Sequence, residues 1–330
     1  MDNQGFDPKV LESLKLLQEK FKADGQELSV HLEGLYHSSY LKYWDYIHLD
    51  TLLSLQKPKT DFPDEMIFIT YHQITELYFK MVLHELTLLK NQGMVDRDFL
   101  LKKLNRTNWY FGQLIESFDI IAVGLDQDEF LKFRSALYPA SGFQSVQYRM
   151  VEIASTDFIN LVSKDSRDKF QEDYTPIEEM FEEIYWRKGA IETKTGLKTL
   201  TLRLFEEKYN KALIQIAYEY KNKNLWSIFK RQPYSVQEDQ EVIEAMKRFD
   251  TLVNVNWPLA HYKYAVSYLF KSTEGELAAT GGTNWRKYLP PRFQKRIFFP
   301  DIYTFEEIEN WGKSWVESYV LSKNPEKAVK

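Results

Sequence analysis

The chain contains no cysteine among its 330 residues. Disulfides, thiolate metal sites, iron–sulfur clusters and cysteine nucleophiles are therefore excluded. Glycine and proline are scarce, at 13 and 11 residues. Sparse punctuation between long charged and apolar stretches favours helices over short strands. No apolar run approaches the roughly 20 residues needed to span a bilayer, so no membrane association is expected. The 43 basic and 48 acidic side chains are mixed along the chain. Without a basic stripe, no nucleic-acid partner is expected. Met1–Pro8 lacks a basic n-region and an apolar h-region, which predicts no signal peptide and a cytoplasmic protein.

What is abundant is aromatic: 21 Tyr, 22 Phe and 8 Trp. Such surface suits a core, a wide subunit interface or a flat apolar ligand. No alternating strand pattern or internal repeat is evident, and the fold class is read as all-α. The clearest helix is predicted from Asp64 to Lys90, where Phe68, His72, Thr75, Phe79, Val82, Leu86 and Leu89 share a face. Glu76 and Lys80 are spaced to pair. Further helices are predicted at about 97–123, at 126–137 (carrying Phe130, Phe133, Arg134 and Leu137), from Phe143, at 200–221, at 237–270 and at 305–321. No linker divides the chain, so one domain over 1–330 is expected.

Six histidines are the main candidates for chemistry: His31, His37, His48, His72, His84 and His261. A lone histidine on an apolar helix face is ordinarily a hydrogen-bonded core residue. A di-iron site would need Glu-x-x-His pairs, but Ile69, Met81 and Pro258 stand three before His72, His84 and His261. A zincin motif fails because Leu86, Thr87 and Leu88 follow His84-Glu85. No nucleophile elbow or phosphate-binding glycine loop occurs. His261 lies near Trp257, Tyr262, Tyr264, Tyr268 and Phe270. That setting suits a haem ligand, since haem needs one imidazole and a large apolar slot.

Several ordered segments resemble the tryptophan 2,3-dioxygenase family. They are Tyr43-x-x-Tyr46 followed by Leu49-Asp50-Thr51-Leu52-Leu53, Phe68-Ile69-Thr70-Tyr71-His72-Gln73 with Glu76-Leu77, and Phe133-Arg134 with Pro139-Ala140-Ser141-Gly142-Phe143-Gln144-Ser145. Trp257-x-x-x-His261, Thr280-Gly281-Gly282 and Phe298-Phe299-Pro300-Asp301 complete the series. The resemblance covers about residues 40–302, with 303–330 as a helical C-terminal extension. It implies a helical bundle around haem b (iron protoporphyrin IX), opening the indole ring of L-tryptophan with O2 to give N-formylkynurenine. It makes His261 the axial iron ligand and His72 the distal histidine facing the indole N–H. Phe68 would pack on the indole, and Arg134 would clamp the substrate carboxylate. Ser141 would lie near the haem edge and Thr280 would bind the substrate's polar end. Tyr43 and Tyr46 would complete a neighbouring subunit's pocket, which implies a homotetramer.

Four departures from the family pattern bear on substrate. Phe130 stands where tyrosine is usual, and Pro258 replaces the arginine of Trp-Arg-x-x-His. Ser272–Glu276 resembles an insert, and Trp285 follows Thr280-Gly281-Gly282 where small residues are usual. Another indole or aromatic amine substrate, or a haem protein without turnover, stays open as an alternative.

Overall fold

The computed structural model describes residues 5–192, 195–269 and 295–312. They fall into two compact units, Met1–Gln56 and Lys57–Lys330. Among the described residues the structure is helical. It holds two isolated β-bridges, Val162–Ile184 and Ile191–Lys198, and no strand.

The first unit consists of α1 (Pro8–Ala23), α2 (Leu28–His37), α3 (Tyr43–Tyr46) and α4 (Leu49–Leu53). Asp7 caps α1 by accepting from Lys9 N at 2.8 Å, and Pro8 occupies the first turn, where a missing N–H costs nothing. Gly25, at φ +70°, lets the chain reverse towards α2. No residue of these four helices is buried. Large apolar side chains, among them Phe6, Leu35, Tyr40, Tyr43 and Tyr46, stand exposed along the unit.

The second unit holds α5 (Asp64–Asn91), α6 (Arg97–Glu116), α7 (Asp119–Gly124), α8 (Gln127–Phe133), α9 (Val146–Ser155), α10 (Ile177–Glu182), α11 (Tyr185–Gly189) and α12 (Leu200–Tyr220). These are followed by α13 (Leu225–Lys230), α14 (Tyr234–Gln237), α15 (Gln240–Thr251) and α16 (Trp257–Leu269). Helix α5 is central: it packs on α6 and α9, α15 packs on α6, and α12 on α9. The periodic face of α5 becomes the core, with Phe79, Val82, Leu86 and Leu89 nearly inaccessible. Phe111 bridges three helices, its ring 6.0 Å from Phe79 and 5.9 Å from Phe249. A buried carboxylate, Glu85, ties α5 to α6 through Lys103 at 2.8 Å and Arg106 at 3.2 Å.

Several helix limits differ from the sequence expectation, each for a local reason. The 97–123 helix breaks at Ser117, whose hydroxyl donates back to Leu114 O at 2.7 Å and competes with helical bonding. Residues Arg134–Leu137 form a 3-10 turn after α8, so Arg134 leaves the α-helix. The long helix expected from 237 starts at Gln240, because the Asp239 carboxylate accepts from Glu241 N and Val242 N. It then widens into a π-turn at Leu252–Asn256 before α16. The expected Glu76–Lys80 pair is not made among the described residues; Glu76 instead accepts from Gln147 Nε2 at 2.9 Å. Of the expected 305–321 helix, Phe305–Glu309 is helical, and 313–321 lies outside the described residues.

The segment 295–312 returns to the core. Phe298 and Phe299 are fully buried, and their N–H groups donate to the Asp250 carboxylate at 2.9 and 3.3 Å. Burial raises the Asp250 carboxyl to about 7, against the opposing hydrogen bonds from Asn254, Phe298 and Phe299.

Phe111→Ala removes a fully buried ring at this three-helix junction. Urea unfolding should show a loss of about 3–5 kcal/mol. Gly112→Ala, next door, meets nothing within 4 Å and should raise stability by about 0.5–1 kcal/mol. A loss from Gly112→Ala comparable to that from Phe111→Ala would contradict this packing.

Candidate active site

Four of the six histidines are exposed: His31, His37, His48 and His84. The other two, His72 and His261, share one aromatic cluster. Helix α5 carries Phe68, Tyr71 and His72 one turn apart, so the ring of Phe68 lies 4.1 Å from that of His72. Phe130 and Phe133 on α8 approach Phe68 at 5.9 and 5.8 Å. Tyr71 passes contact to Phe118 at 5.7 Å, and Phe118 touches both Trp257 at 5.1 Å and His261 at 5.8 Å. The break at Ser117 is what turns Phe118 into this position.

Both imidazoles are surrounded by protein yet keep solvent-reachable edges. Burial lowers the proton affinity of His72, opposed by the Phe68 carbonyl and Glu76. Burial lowers His261 further, to about 4, and repulsion from His72 adds to it. Both rings are thus neutral at pH 7. His72 Nδ1 lies 2.7 Å from Phe68 O. A carbonyl can only accept, so Nδ1 carries the proton and Nε2 presents a lone pair. An unprotonated imidazole among apolar rings is the donor chemistry that a haem iron takes, and His261 fits it.

The remaining expected site residues fall in different places. Phe130 is buried within the cluster. Arg134 is half-buried directly after Phe133, and burial lowers its proton affinity. Ser141 sits in a local turn, its N–H donating to Gln144 Oε1 at 3.1 Å and its Oγ accepting from Phe143 N at 3.4 Å. Tyr43 and Tyr46 are exposed in the first unit. Thr280, Trp285 and the Ser272–Glu276 stretch lie outside the described residues. Sequence reasoning missed Tyr71 and Phe118, which join the two histidines. Tyr71 stands out in the sequence only as one position of a longer motif, and Phe118 depends on a helix break that no glycine or proline marks.

A family model described as tryptophan 2,3-dioxygenase matches residues 33–250, more than half of the chain. The chain belongs to the tryptophan 2,3-dioxygenase family. Similar proteins include the tryptophan 2,3-dioxygenase of Bacillus anthracis, 44% identical over 115 residues, which are 34% of this chain and 41% of that protein. The tryptophan 2,3-dioxygenase of Ruegeria sp. (strain TM1040) is 44% identical over 115 residues, 34% of this chain and 40% of its own. That of Polaromonas naphthalenivorans (strain CJ2) is 39% identical over 115 residues, with the same two shares. The matched segment thus spans about two fifths of the length of these relatives. The tryptophan 2,3-dioxygenase match ends at residue 250, before the π-turn at Leu252–Asn256 and before His261.

The neutral state of His261 has a signature in pH. Its folded-state value of about 4 lies below the ordinary histidine value of 6.5. Between these values the unfolded chain binds the extra proton, so this residue's contribution makes stability rise with pH and flatten above 6.5. Asp250, raised from 3.8 to about 7, acts oppositely over an overlapping window. A difference between two chains isolates the histidine. His261→Gln should flatten the rise between pH 4 and 6.5 relative to the parent chain in urea unfolding without haem. Parallel pH profiles would mean that His261 is not buried neutral.

Proposed function

We propose that this chain binds haem b through His261 and opens the indole ring of L-tryptophan with O2, giving N-formylkynurenine. The observation that carries the reading is the pair of neutral imidazoles, His72 and His261, on one aromatic cluster. When bound, the haem supplies dioxygen activation; the protein supplies position, dryness and polarity. In this reading His72 Nε2 accepts the indole N–H, the role its lone pair allows. Phe68 and Phe130 stack on or edge the indole. Arg134 binds the carboxylate, for which a planar two-pronged donor is the right shape. In the same reading Ser141 would lie near the haem edge, and Thr280, outside the described residues, would bind the substrate's polar end.

We further propose that residues 1–330 work as one helical haem-dioxygenase-like domain within a cytoplasmic homotetramer, without nucleic-acid or membrane partners. Among the described residues no helix is long and apolar enough to cross a membrane. An N-terminal unit with no buried residue in its helices and many exposed aromatic and aliphatic side chains needs a covering surface. In this reading that surface belongs to another subunit, with Tyr43 and Tyr46 closing the neighbour's pocket. Light scattering should show an oligomer; a monomer at working concentration would contradict the assembly.

A second reading keeps the haem and changes the substrate. Phe130 brings no hydroxyl to the cluster, which weakens the case for amino-acid selectivity and favours another indole or aromatic amine. The two readings separate on the carboxylate. Haem-loaded, anaerobically reduced protein should form N-formylkynurenine from L-tryptophan on adding oxygen. Arg134→Ala should lower kcat/KM for L-tryptophan by about 2–5 kcal/mol, while haem stays bound. Phe130→Tyr should tighten L-tryptophan binding by about 0.5–1.5 kcal/mol. Equal turnover of tryptamine and L-tryptophan would overturn the role of Arg134 and support the second reading.

A further inference from the structure

Pro258 is the second residue of α16, yet it does not sit at a helix start. Helix α15, the π-turn Leu252–Asn256 and α16 follow one another without interruption. A proline inside a helical run has no N–H to give and crowds the carbonyl one turn back. The chain responds by widening to i→i+5 bonding, and Trp257 N–H donates to Leu252 O.

This leaves the carbonyl of Val253 without a helical donor. The residue four places on, Trp257, is committed to Leu252 O, and the residue five places on is Pro258. Val253 is fully buried, and an unmet buried carbonyl is costly. The donor comes from another helix: the Tyr148 hydroxyl on α9 reaches Val253 O at 3.0 Å. Burial raises Tyr148, partly offset by Arg296, so the hydroxyl keeps the proton it donates. Its lone pair faces Arg296 Nη2 at 3.5 Å. The same guanidinium bonds the Glu152 carboxylate and the Tyr185 hydroxyl, and Arg149 also donates to Glu152, at 2.8 Å. The Tyr148 hydroxyl is therefore aimed by a buried network before it meets the helix.

We infer that Tyr148 is a positioning residue for His261: its hydroxyl replaces the helical donor that Pro258 removes and so fixes the phase of the helix presenting that imidazole. Its functional meaning rests on His261 being the haem ligand. The hydrogen-bond substitution itself does not, and the two can fail separately. Trp257, one turn before His261, transmits the constraint, with its ring 5.8 Å from Phe79 and 5.1 Å from Phe118.

The test is a double-mutant cycle of Tyr148→Phe and Pro258→Ala, read without haem. Alanine at 258 restores an N–H, and Val253 O regains a donor in either the α or the π pattern. In the parent chain, Tyr148→Phe should lower the folding equilibrium constant about tenfold, as expected for one stranded buried carbonyl. It should also shift the ring 15N resonances of His261 at fixed neutral pH. In the Pro258→Ala background both effects should shrink to within about twofold and to no detectable shift. Equal effects of Tyr148→Phe in both backgrounds would overturn the proposal, as would an unmoved His261 resonance in the parent. If Tyr148→Phe leaves too little folded protein, Pro258→Ala must restore it; failure to do so also counts against the proposal. Absence of haem binding in the unmutated chain would refute the haem reading and leave the outcome of the haem-free cycle unaffected.

Discussion

Two half-buried imidazoles set against one aromatic cluster both stay unprotonated at neutral pH, because neither finds a carboxylate close enough to offset the loss of water. The described structure arranges itself around that constraint. Helix α5 delivers His72 and, through the carbonyl of Phe68, sets which nitrogen carries the proton. Phe118, just before α7, and Phe130 and Phe133 on α8 bring aromatic rings to the space between. Helix α16 delivers His261 from the opposite end of the chain. A neutral acceptor on one side and a neutral metal donor on the other are what an apolar indole and an iron porphyrin would require.

Holding that geometry falls to buried polar groups placed away from it. Glu85 locks α5 to α6, and Glu152 gathers Arg149, Tyr185 and Arg296. Asp250 receives the returning segment at Phe298 and Phe299. Each of these charges is met by donors, the condition under which buried charge is tolerated. Glu152 and Asp250 join α9 and α15 to the 295–312 segment, so the His261 side of the site is braced by buried polar contacts as well as by packing.

The sequence carried the fold class through scarcity of glycine and proline, and the α5 face through its 3.6-residue spacing. Phe68 and His72 were legible as neighbours from their helical spacing, His261 stood out through Trp257-x-x-x-His261, and Phe130 was visible only as a departure from its motif. The helix break at Ser117 was not, because a serine that bonds its own helix looks like any other serine. The π-turn was not either. Pro258 was visible as a departure, but its consequence depends on Tyr148, more than a hundred positions earlier. Buried partners such as Glu152 and Arg296 look like surface charges until the chain is folded. Family membership, in turn, rests on residues 33–250, which include His72, Arg134 and Ser141 but not His261.

The central claim is that His261, and not His72, is the residue that holds the haem. Resonance Raman spectroscopy of the ferrous haem-loaded protein tests it most directly. An iron–histidine stretch should be present in the unmutated chain and in His72→Ala, and absent in His261→Ala. A stretch that survives His261→Ala, or vanishes in His72→Ala, would contradict the account.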